Sequence, residues 1–134
     1  MQTDRQIEHF LGGSPFAVVG ASANRDKYGN KVLRAYLQAS LTAIPVHPLE
    51  NHIEGLEAFP NLSSIPNPIH GLSIITPPNI TEEIVAEAAS CGIKNLWIQP
   101  GAENKAAIAT AHKNKMNLIV GGPCILVTLH YREG

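Results

Sequence analysis

Five short, continuous apolar runs constrain the fold of this chain more than any other feature. They span residues 16–19, 43–46, 72–75, 95–98 and 117–120, and a turn signal follows each one. Runs that are this short and do not alternate with polar residues are typical of parallel strands buried on both faces of a sheet. The sequence therefore predicts five buried strands that the intervening segments cover.

Most of the intervening segments carry the apolar spacing of amphipathic helices. Helices are predicted over residues 4–11, 30–40, 80–91 and 103–115. The segment before the third apolar run is rich in proline and asparagine and breaks this rhythm. Because each proline restricts the residue before it, we expect only a short helical turn over residues 53–59, followed by a loop.

Local signals refine the helix that precedes the fourth apolar run. Asn79, followed three residues later by Glu82, predicts a capping box at its start, and Gly92 fits a glycine just past its end. Cys91 continues the helical spacing of the apolar side chains and is predicted to pack in the core. Trp97, within the fourth run, is also predicted to be a core residue.

The repeated order of strand, helix and strand predicts an α/β fold with right-handed crossovers. We expect one doubly wound, mainly parallel five-stranded sheet with helices on both faces. A chain of 134 residues is long enough for one compact core and too short for two, so residues 1–134 are predicted to form a single domain.

Composition argues against several classes of partner. A formal net charge of −1 lacks the basic surplus that nucleic-acid binding requires, and no apolar run approaches the length that crosses a membrane. The N-terminal segment has no signal-peptide core, so a cytoplasmic protein is expected. The two cysteines are far apart and the six histidines are scattered, so we expect no metal site.

Ligands of open parallel sheets bind beyond the carboxyl ends of the strands, where the strand order reverses. The residues that follow the predicted strands are small, rigid or polar, and a glycine with two small neighbours suits either a bound anion or an ordinary strand-to-helix turn. After the first three strands these residues are Gly20, Ala21, Ser22, Pro45, Val46, His47, Pro48, Thr76, Pro77 and Pro78; residues 99–101 and 121–124 follow the last two.

The first turn departs from a dinucleotide fingerprint, which would have glycine where this chain has Ser22 and Arg25. The second strand ends in P-V-H-P, without the acid that holds the ribose of NAD. Arg25, Lys27 and Lys31 lie near the turn, where they either bind a more highly phosphorylated ligand or belong to a solvated loop. An NAD(P)-binding, oxidoreductase-like protein is therefore the weaker alternative.

Six motifs, taken in order, resemble a known family. They are V-V-G-A-S-A-N, Y-G at the start of a helix, I-P-V-H-P, I-I-T-P-P, W-I-Q-P-G and G-G-P-C-I. Together they resemble the small bacterial CoA-binding proteins, which are related to the CoA-binding domain of the succinyl-CoA synthetase alpha subunit. The resemblance extends from Phe16 to Cys124, nearly the whole chain.

The resemblance implies a Rossmann-like domain that binds coenzyme A, or an acyl-CoA, through its nucleotide part. Gly20, Ala21 and Ser22 would then cradle a phosphate, with Arg25 nearby, and Tyr28 would close over the turn. The adenine and ribose would lie between two walls, one formed by Pro45, Val46, His47 and Pro48 and the other by Thr76, Pro77 and Pro78. The sequence departs from the family at His47, where asparagine is common, and at Thr76, where arginine often stands.

The resemblance also bears on chemistry. Succinyl-CoA synthetase carries its phosphohistidine in a separate domain, and because this chain ends before one could follow, we expect no catalysis of that kind. Cys124 matches a cysteine near the last strand of family members, where it faces the thiol end of the ligand, forms a mixed disulfide with it, or only packs. A CoA-dependent ligase or thiol-transfer component using Cys124 is an alternative, as is a module that only contacts proteins. A homo-oligomer or an unidentified protein partner is left open.

Overall fold

The computed structural model describes residues 2–133 and contains the predicted parallel sheet. Met1 and Gly134, the first and last residues of the predicted domain, lie outside the described residues. The five parallel strands are β1 (Phe16–Val19), β2 (Ala43–Val46), β5 (Gly71–Ile74), β6 (Asn95–Ile98) and β7 (Asn117–Ile119). They pair in the order β2-β1-β5-β6-β7. The predicted α/β, doubly wound, Rossmann-like fold is therefore confirmed.

Helices cover both faces of this sheet. They are α1 (Gln2–Leu11), α2 (Tyr28–Gln38), α3 (Pro78–Ser90), α4 (Lys105–Lys113) and α5 (Ile125–Thr128). Alternate residues of each strand point to opposite faces, so Phe16 and Val18 pack with α1, α2 and α5, whereas Ala17 and Val19 pack with α3 and α4. The helix α5 was not predicted, because four residues are too few to show an apolar period.

Residues 51–65 differ from the prediction. The segment expected to form a helical turn contains an antiparallel hairpin of β3 (His52–Ile53) and β4 (Leu56–Glu57), and a 3-10 turn follows at Leu62–Ser64. Phe59 then makes a parallel bridge to Val46 at the outer edge of β2. If this bridge is counted as a short strand, the sheet has the 3-2-1-4-5-6 order of the dinucleotide-binding Rossmann fold.

Two local predictions at α3 were wrong. The helix begins at Pro78, so Asn79 and Glu82 lie inside it and form no capping box. Thr81 fixes the first turn instead, since its hydroxyl contacts the Thr76 hydroxyl at 2.7 Å and donates to the Pro77 carbonyl at 3.3 Å.

Cys91 is not in the core: it follows the last helical residue and is exposed. Trp97 is fully buried, as predicted.

The structure also bears on the membrane and metal predictions. Among residues 2–133, every helix is too short or too polar to cross a lipid bilayer. Within the same residues, the His, Cys, Asp and Glu side chains form no group of three or more that could hold a metal ion.

Candidate functional site

A cavity of about 680 Å³ opens at the carboxyl ends of β1, β2 and β5. These three ends are adjacent in the sheet, and β1 and β5 are the pair between which the strand order reverses. Ligands of doubly wound sheets bind at this position, and the volume lies within the roughly 300–1,000 Å³ typical of small-molecule sites. The cavity is therefore the candidate functional site.

Most of the residues predicted from the sequence line this cavity. They are Gly20, Ala21, Ser22, Tyr28, Val46, His47, Pro48, Thr76 and Pro77. Four others lie outside its lining. Pro45 is buried within β2, Pro78 is the first residue of α3, Arg25 is held by Glu54, and Cys124 lines a second cavity beside the first.

Two glycines allow the turn after β1 to approach its neighbours closely. Gly20 has a φ of +95°, and a Cβ there would overlap the carbonyl oxygen of Ile75. Gly29, in the first turn of α2, would overlap the carbonyl oxygen of Gly20 if it carried a side chain. Gly29 thus provides the close helix–strand packing that the third glycine provides in dinucleotide-binding proteins, although it lies further along the chain.

Side chains of α2 donate hydrogen bonds to the backbone of residues 20–27, the turn between β1 and α2. Asn30 is fully buried and donates from Nδ2 to the Ser22 carbonyl at 2.8 Å. Arg34 donates from Nη2 to the Arg25 carbonyl at 2.8 Å. On the turn itself, the Ser22 hydroxyl oxygen accepts the Asn24 N–H at 3.1 Å, which leaves its own proton available to a ligand.

Arg25 is engaged by a carboxylate. Its Nη1 donates to the two oxygens of Glu54 at 2.7 and 2.9 Å. Hydrogen bonding from Asn30 is the largest cause that lowers the pKa of the Glu54 carboxyl, and the hydrogen bond and charge of Arg25 lower it further. Glu54 therefore stays ionised at neutral pH and neutralises the guanidinium that the sequence had assigned to a phosphate.

His47 shapes the turn that follows β2. Its Nδ1 accepts the N–H groups of Leu49 and Glu50, each at 3.0 Å. Because an accepting Nδ1 carries no proton, the ring proton lies on Nε2 in this arrangement. The imidazole thus fixes the backbone beside the cavity and retains one N–H donor.

The electrostatic character of the cavity wall is mixed. Lys27 and the first residues of α2 lie on one side, where the helix presents N–H groups that have no acceptor within the helix. Asp26 and Glu87 are the acidic lining residues, and Glu87 accepts hydrogen bonds from the N–H and hydroxyl of Ser63. The positive end of a helix therefore faces a cavity whose walls are mostly apolar.

A second cavity, of about 270 Å³, adjoins the first. Tyr28 and Ile75 line both, so the two cavities are neighbours that share these side chains. The second cavity ends at Gln99 and Cys124. The Gln99 amide is fixed, because its Oε1 accepts the Ile125 N–H at 2.8 Å and its Nε2 donates to the Cys124 sulfur at 3.4 Å.

Some lining residues were not singled out from the sequence. Ile80 and Ile84 lie one helical turn apart on α3 and form an apolar wall. Their spacing was visible, but it was read as the core face of a helix. Pro60 and Asn61 also line the cavity, and no local signal identifies them, because the parallel bridge at Phe59 brings them there.

Comparison with known proteins identifies the family. The sequence profile of the CoA binding domain family matches residues 14–130. The chain belongs to this family. The match includes all three strand ends that form the cavity.

Individual relatives agree with this assignment. This chain is 24% identical over 130 residues to the alpha subunit of ADP-forming acetate–CoA ligase II from Pyrococcus furiosus. The alignment covers 89% of this chain and 28% of that subunit. The chain thus spans less than a third of that relative. A conserved hypothetical protein from Pyrococcus furiosus is 33% identical, with a TM-score of 0.81 and coverage of 87% of this chain and 99% of the other.

A hypothetical protein from Pyrococcus horikoshii shares the fold, with a TM-score of 0.88 at 24% identity over 97% of this chain and 90% of the other. The predicted membership of a CoA-binding domain family is confirmed. The alpha subunit to which the chain is similar here is that of ADP-forming acetate–CoA ligase II, whereas the resemblance named that of succinyl-CoA synthetase. The relatives named here are archaeal, so they do not support the bacterial origin that the resemblance suggested.

Proposed function

We propose that this protein binds coenzyme A, or an acyl-CoA, in the cavity at the carboxyl ends of β1, β2 and β5, and that it has no catalytic activity of its own there. The observation that carries the proposal is the position of the cavity in a CoA binding domain, at the reversal of strand order. The nucleotide part of the ligand occupies the larger cavity.

The polar groups of the turn suit a diphosphate. Gly20 and Ala21 lack side chains that would cover the peptide groups, Ser22 retains a hydroxyl donor, and α2 begins beside them with Lys27 at its edge. Anions are stabilised at helix N-termini by free N–H groups and by the helix dipole. We assign the phosphate groups to this side of the cavity.

The apolar walls suit a purine. Pro48 and Pro60 lie on the β2 side, and Pro77 with Ile80 and Ile84 lies on the α3 side. Rigid apolar surfaces bind a planar base at a small cost in side-chain entropy. We assign the adenine to the space between these walls.

The second cavity receives the thiol end of the ligand. A pantetheine arm leaving the phosphate region passes Tyr28 and Ile75, which line both cavities, and ends near Cys124 and Gln99. This path gives a role to Cys124 and Tyr28 without requiring either to contact the nucleotide.

Several features support binding without catalysis. Within residues 2–133, the hydroxyls of Ser22 and Thr76 are not hydrogen-bonded to a histidine or a carboxylate, so neither is prepared as a nucleophile. The Nδ1 of His47 is already occupied by two backbone N–H groups.

We also place the protein in the cytoplasm, since its two cysteines are unpaired, as is usual in a reducing compartment.

Isothermal titration calorimetry with CoA, acetyl-CoA, NAD and ADP tests the proposal. We expect CoA and acetyl-CoA to bind, ADP to bind more weakly because it lacks the pantetheine contacts, and NAD to bind least. Ser22→Trp would fill the cavity and abolish CoA binding, whereas Ser90→Trp, on the exposed end of α3, would leave it unchanged. Tight NAD binding without CoA binding would contradict the proposal.

A thiol-transfer function is a second candidate, favoured by the position of Cys124 in the second cavity. Cys124 would attack the disulfide of oxidised CoA, so that one S–S bond breaks, a mixed disulfide forms, and the released CoA thiolate takes up a proton. Intact-mass measurement after incubation with CoA disulfide should show one adduct, lost in Cys124→Ser and retained in Cys91→Ser. Retention of the adduct in Cys124→Ser would exclude this function.

A further inference from the structure

The ion pair between Arg25 and Glu54 joins the turn that borders the cavity to a hairpin outside the cavity lining. Arg25 lies in the turn between β1 and α2, and Glu54 lies in the tight turn of the β3–β4 hairpin with a φ of +52°. The Arg25 side chain is 53% exposed, whereas that of Glu54 is only 19% exposed. Glu54 is thus the fixed partner, and it determines where the guanidinium lies.

Glu54 also holds a buried amide. Its Oε2 accepts a hydrogen bond from Asn30 Nδ2 at 3.0 Å, and the same nitrogen donates to the Ser22 carbonyl. Asn30 Oδ1 accepts from Arg34 Nε at 2.6 Å, which fixes the orientation of the amide. A continuous series of hydrogen bonds therefore runs from the hairpin, through Asn30, to the peptide group that follows Ser22.

This series determines the direction of a peptide group in the phosphate-side turn. The Ser22 carbonyl points to Asn30, and in a planar trans peptide the next N–H, that of Ala23, points the opposite way. If the Asn30 amide rotates, the carbonyl loses its donor and the peptide is free to turn. The shape of the turn thus depends on residues that do not line the cavity.

We propose that Glu54 and Arg25 are positioning residues, whose ion pair holds Asn30, and through it the Ser22 peptide, in the shape that binds the diphosphate of the ligand. Arg25 does not contact the phosphates. This inference rests on the proposed function, and it reverses the role that the sequence suggested for Arg25.

The opposite interpretation, in which Arg25 leaves Glu54 to bind a phosphate, predicts the opposite sign for one variant. If Arg25 is a ligand, Glu54→Gln frees the guanidinium and removes a negative charge, so CoA binds more tightly. If Arg25 and Glu54 position the turn, Glu54→Gln weakens CoA binding. The substitution removes the ion pair with Arg25 and weakens the hydrogen bond from Asn30. The sign of the change therefore distinguishes the two.

Calorimetric titration with CoA, at a temperature well below unfolding, compares wild type with Glu54→Gln, Arg25→Gln and the double variant. Each single substitution should raise the Kd by about fivefold, the scale expected for one charge-assisted hydrogen bond that is partly exposed. The double variant should bind no worse than either single one, because both remove the same link. Glu57→Gln, which removes an exposed charge from the same hairpin, should leave the Kd unchanged.

A conservative variant tests the carboxylate itself. Glu54→Asp keeps a carboxylate that can accept from Arg25 and Asn30 and should retain more CoA affinity than Glu54→Gln. A phosphate-binding Arg25, in contrast, would be released by the loosened pair, and Glu54→Asp would then bind CoA more tightly than wild type. Tighter binding by Glu54→Gln, or additive losses in the double variant, would overturn the inference. If wild type binds no CoA, the proposed function fails instead, and faster amide exchange at residues 22–24 in Glu54→Gln still tests the link itself.

Discussion

At the scale of single residues, Gly20 determines how closely the turn after β1 approaches β5. Substitution by alanine places a Cβ against the Ile75 carbonyl in addition to straining a backbone with a φ of +95°. Gly101 has nearly the same φ, +96°, but open space around its Cβ position. Urea unfolding should show that Gly101→Ala costs about 1 kcal/mol and Gly20→Ala about 3 kcal/mol or more. Equal losses would mean that backbone strain, not the close contact, accounts for the glycine.

Tyr36 couples the stability of the protein to alkaline pH. Its hydroxyl contacts the Ser73 hydroxyl at 2.6 Å, and full burial raises the pKa of the phenol far above its ordinary value of 10.0. In the unfolded chain the phenol loses its proton near pH 10, whereas the folded state keeps it. The free energy of unfolding is therefore fully retained below pH 10 and falls as the pH rises, by up to about 1.4 kcal/mol per unit.

Urea unfolding at pH 9, 10 and 11 measures this contribution against Tyr36→Phe, which lacks the ionisable group. The wild type should lose stability more steeply than the variant above pH 10. Parallel curves would show that the loss arises from other groups, such as Tyr131, whose pKa is raised chiefly by burial.

At the scale of elements, the two helices that flank β6 begin in different ways. Asn104 caps α4, since its Oδ1 accepts the Ala107 N–H at 3.0 Å, whereas Asn79 lies within the first turn of α3 and caps nothing. Asn104→Ala should therefore lower the free energy of unfolding by about 1 kcal/mol, and Asn79→Ala by less than about 0.5 kcal/mol. A loss of stability in Asn79→Ala as large as that in Asn104→Ala would indicate that Asn79 does cap α3, as the sequence suggested.

The sequence predicted features that depend on local interactions more accurately than features that depend on contacts between residues far apart in the chain. The strands were located to within one residue because a continuous apolar run is a local signal of burial on both faces. The β3–β4 hairpin was mistaken for a helical turn, because strands of two residues show no period and Phe59 is placed by pairing with Val46. Cys91 matched the apolar spacing of α3, but the helix ends one residue earlier and leaves it exposed.

The same distinction applies to the site. Most of the strand-end residues that the sequence singled out line the cavity, because the fold class alone specifies where those ends meet. Their contact with a ligand stays a prediction. Arg25 was assigned to a phosphate on charge and proximity, and its partner Glu54 lies 29 residues away in an unpredicted hairpin. A basic residue near a turn therefore identifies its role only when the acidic groups brought to it by the fold are also known.

At the scale of the whole molecule, the proposed ligand bridges three separate chain segments, residues 20–29, 46–48 and 75–77. A ligand that binds only the folded state stabilises it, and amides at its contact surface open less often when it is bound. Hydrogen exchange followed by mass spectrometry should therefore show that saturating CoA slows exchange in all three segments together. Amide exchange at the amino ends of the strands, around residues 13–15 and 94, should change little. In Ser22→Trp, CoA should change the exchange of no segment. Protection confined to one segment, or slowed exchange at the amino ends of the strands alone, would place the ligand elsewhere, because the cavity at the carboxyl ends touches β1, β2 and β5 at once.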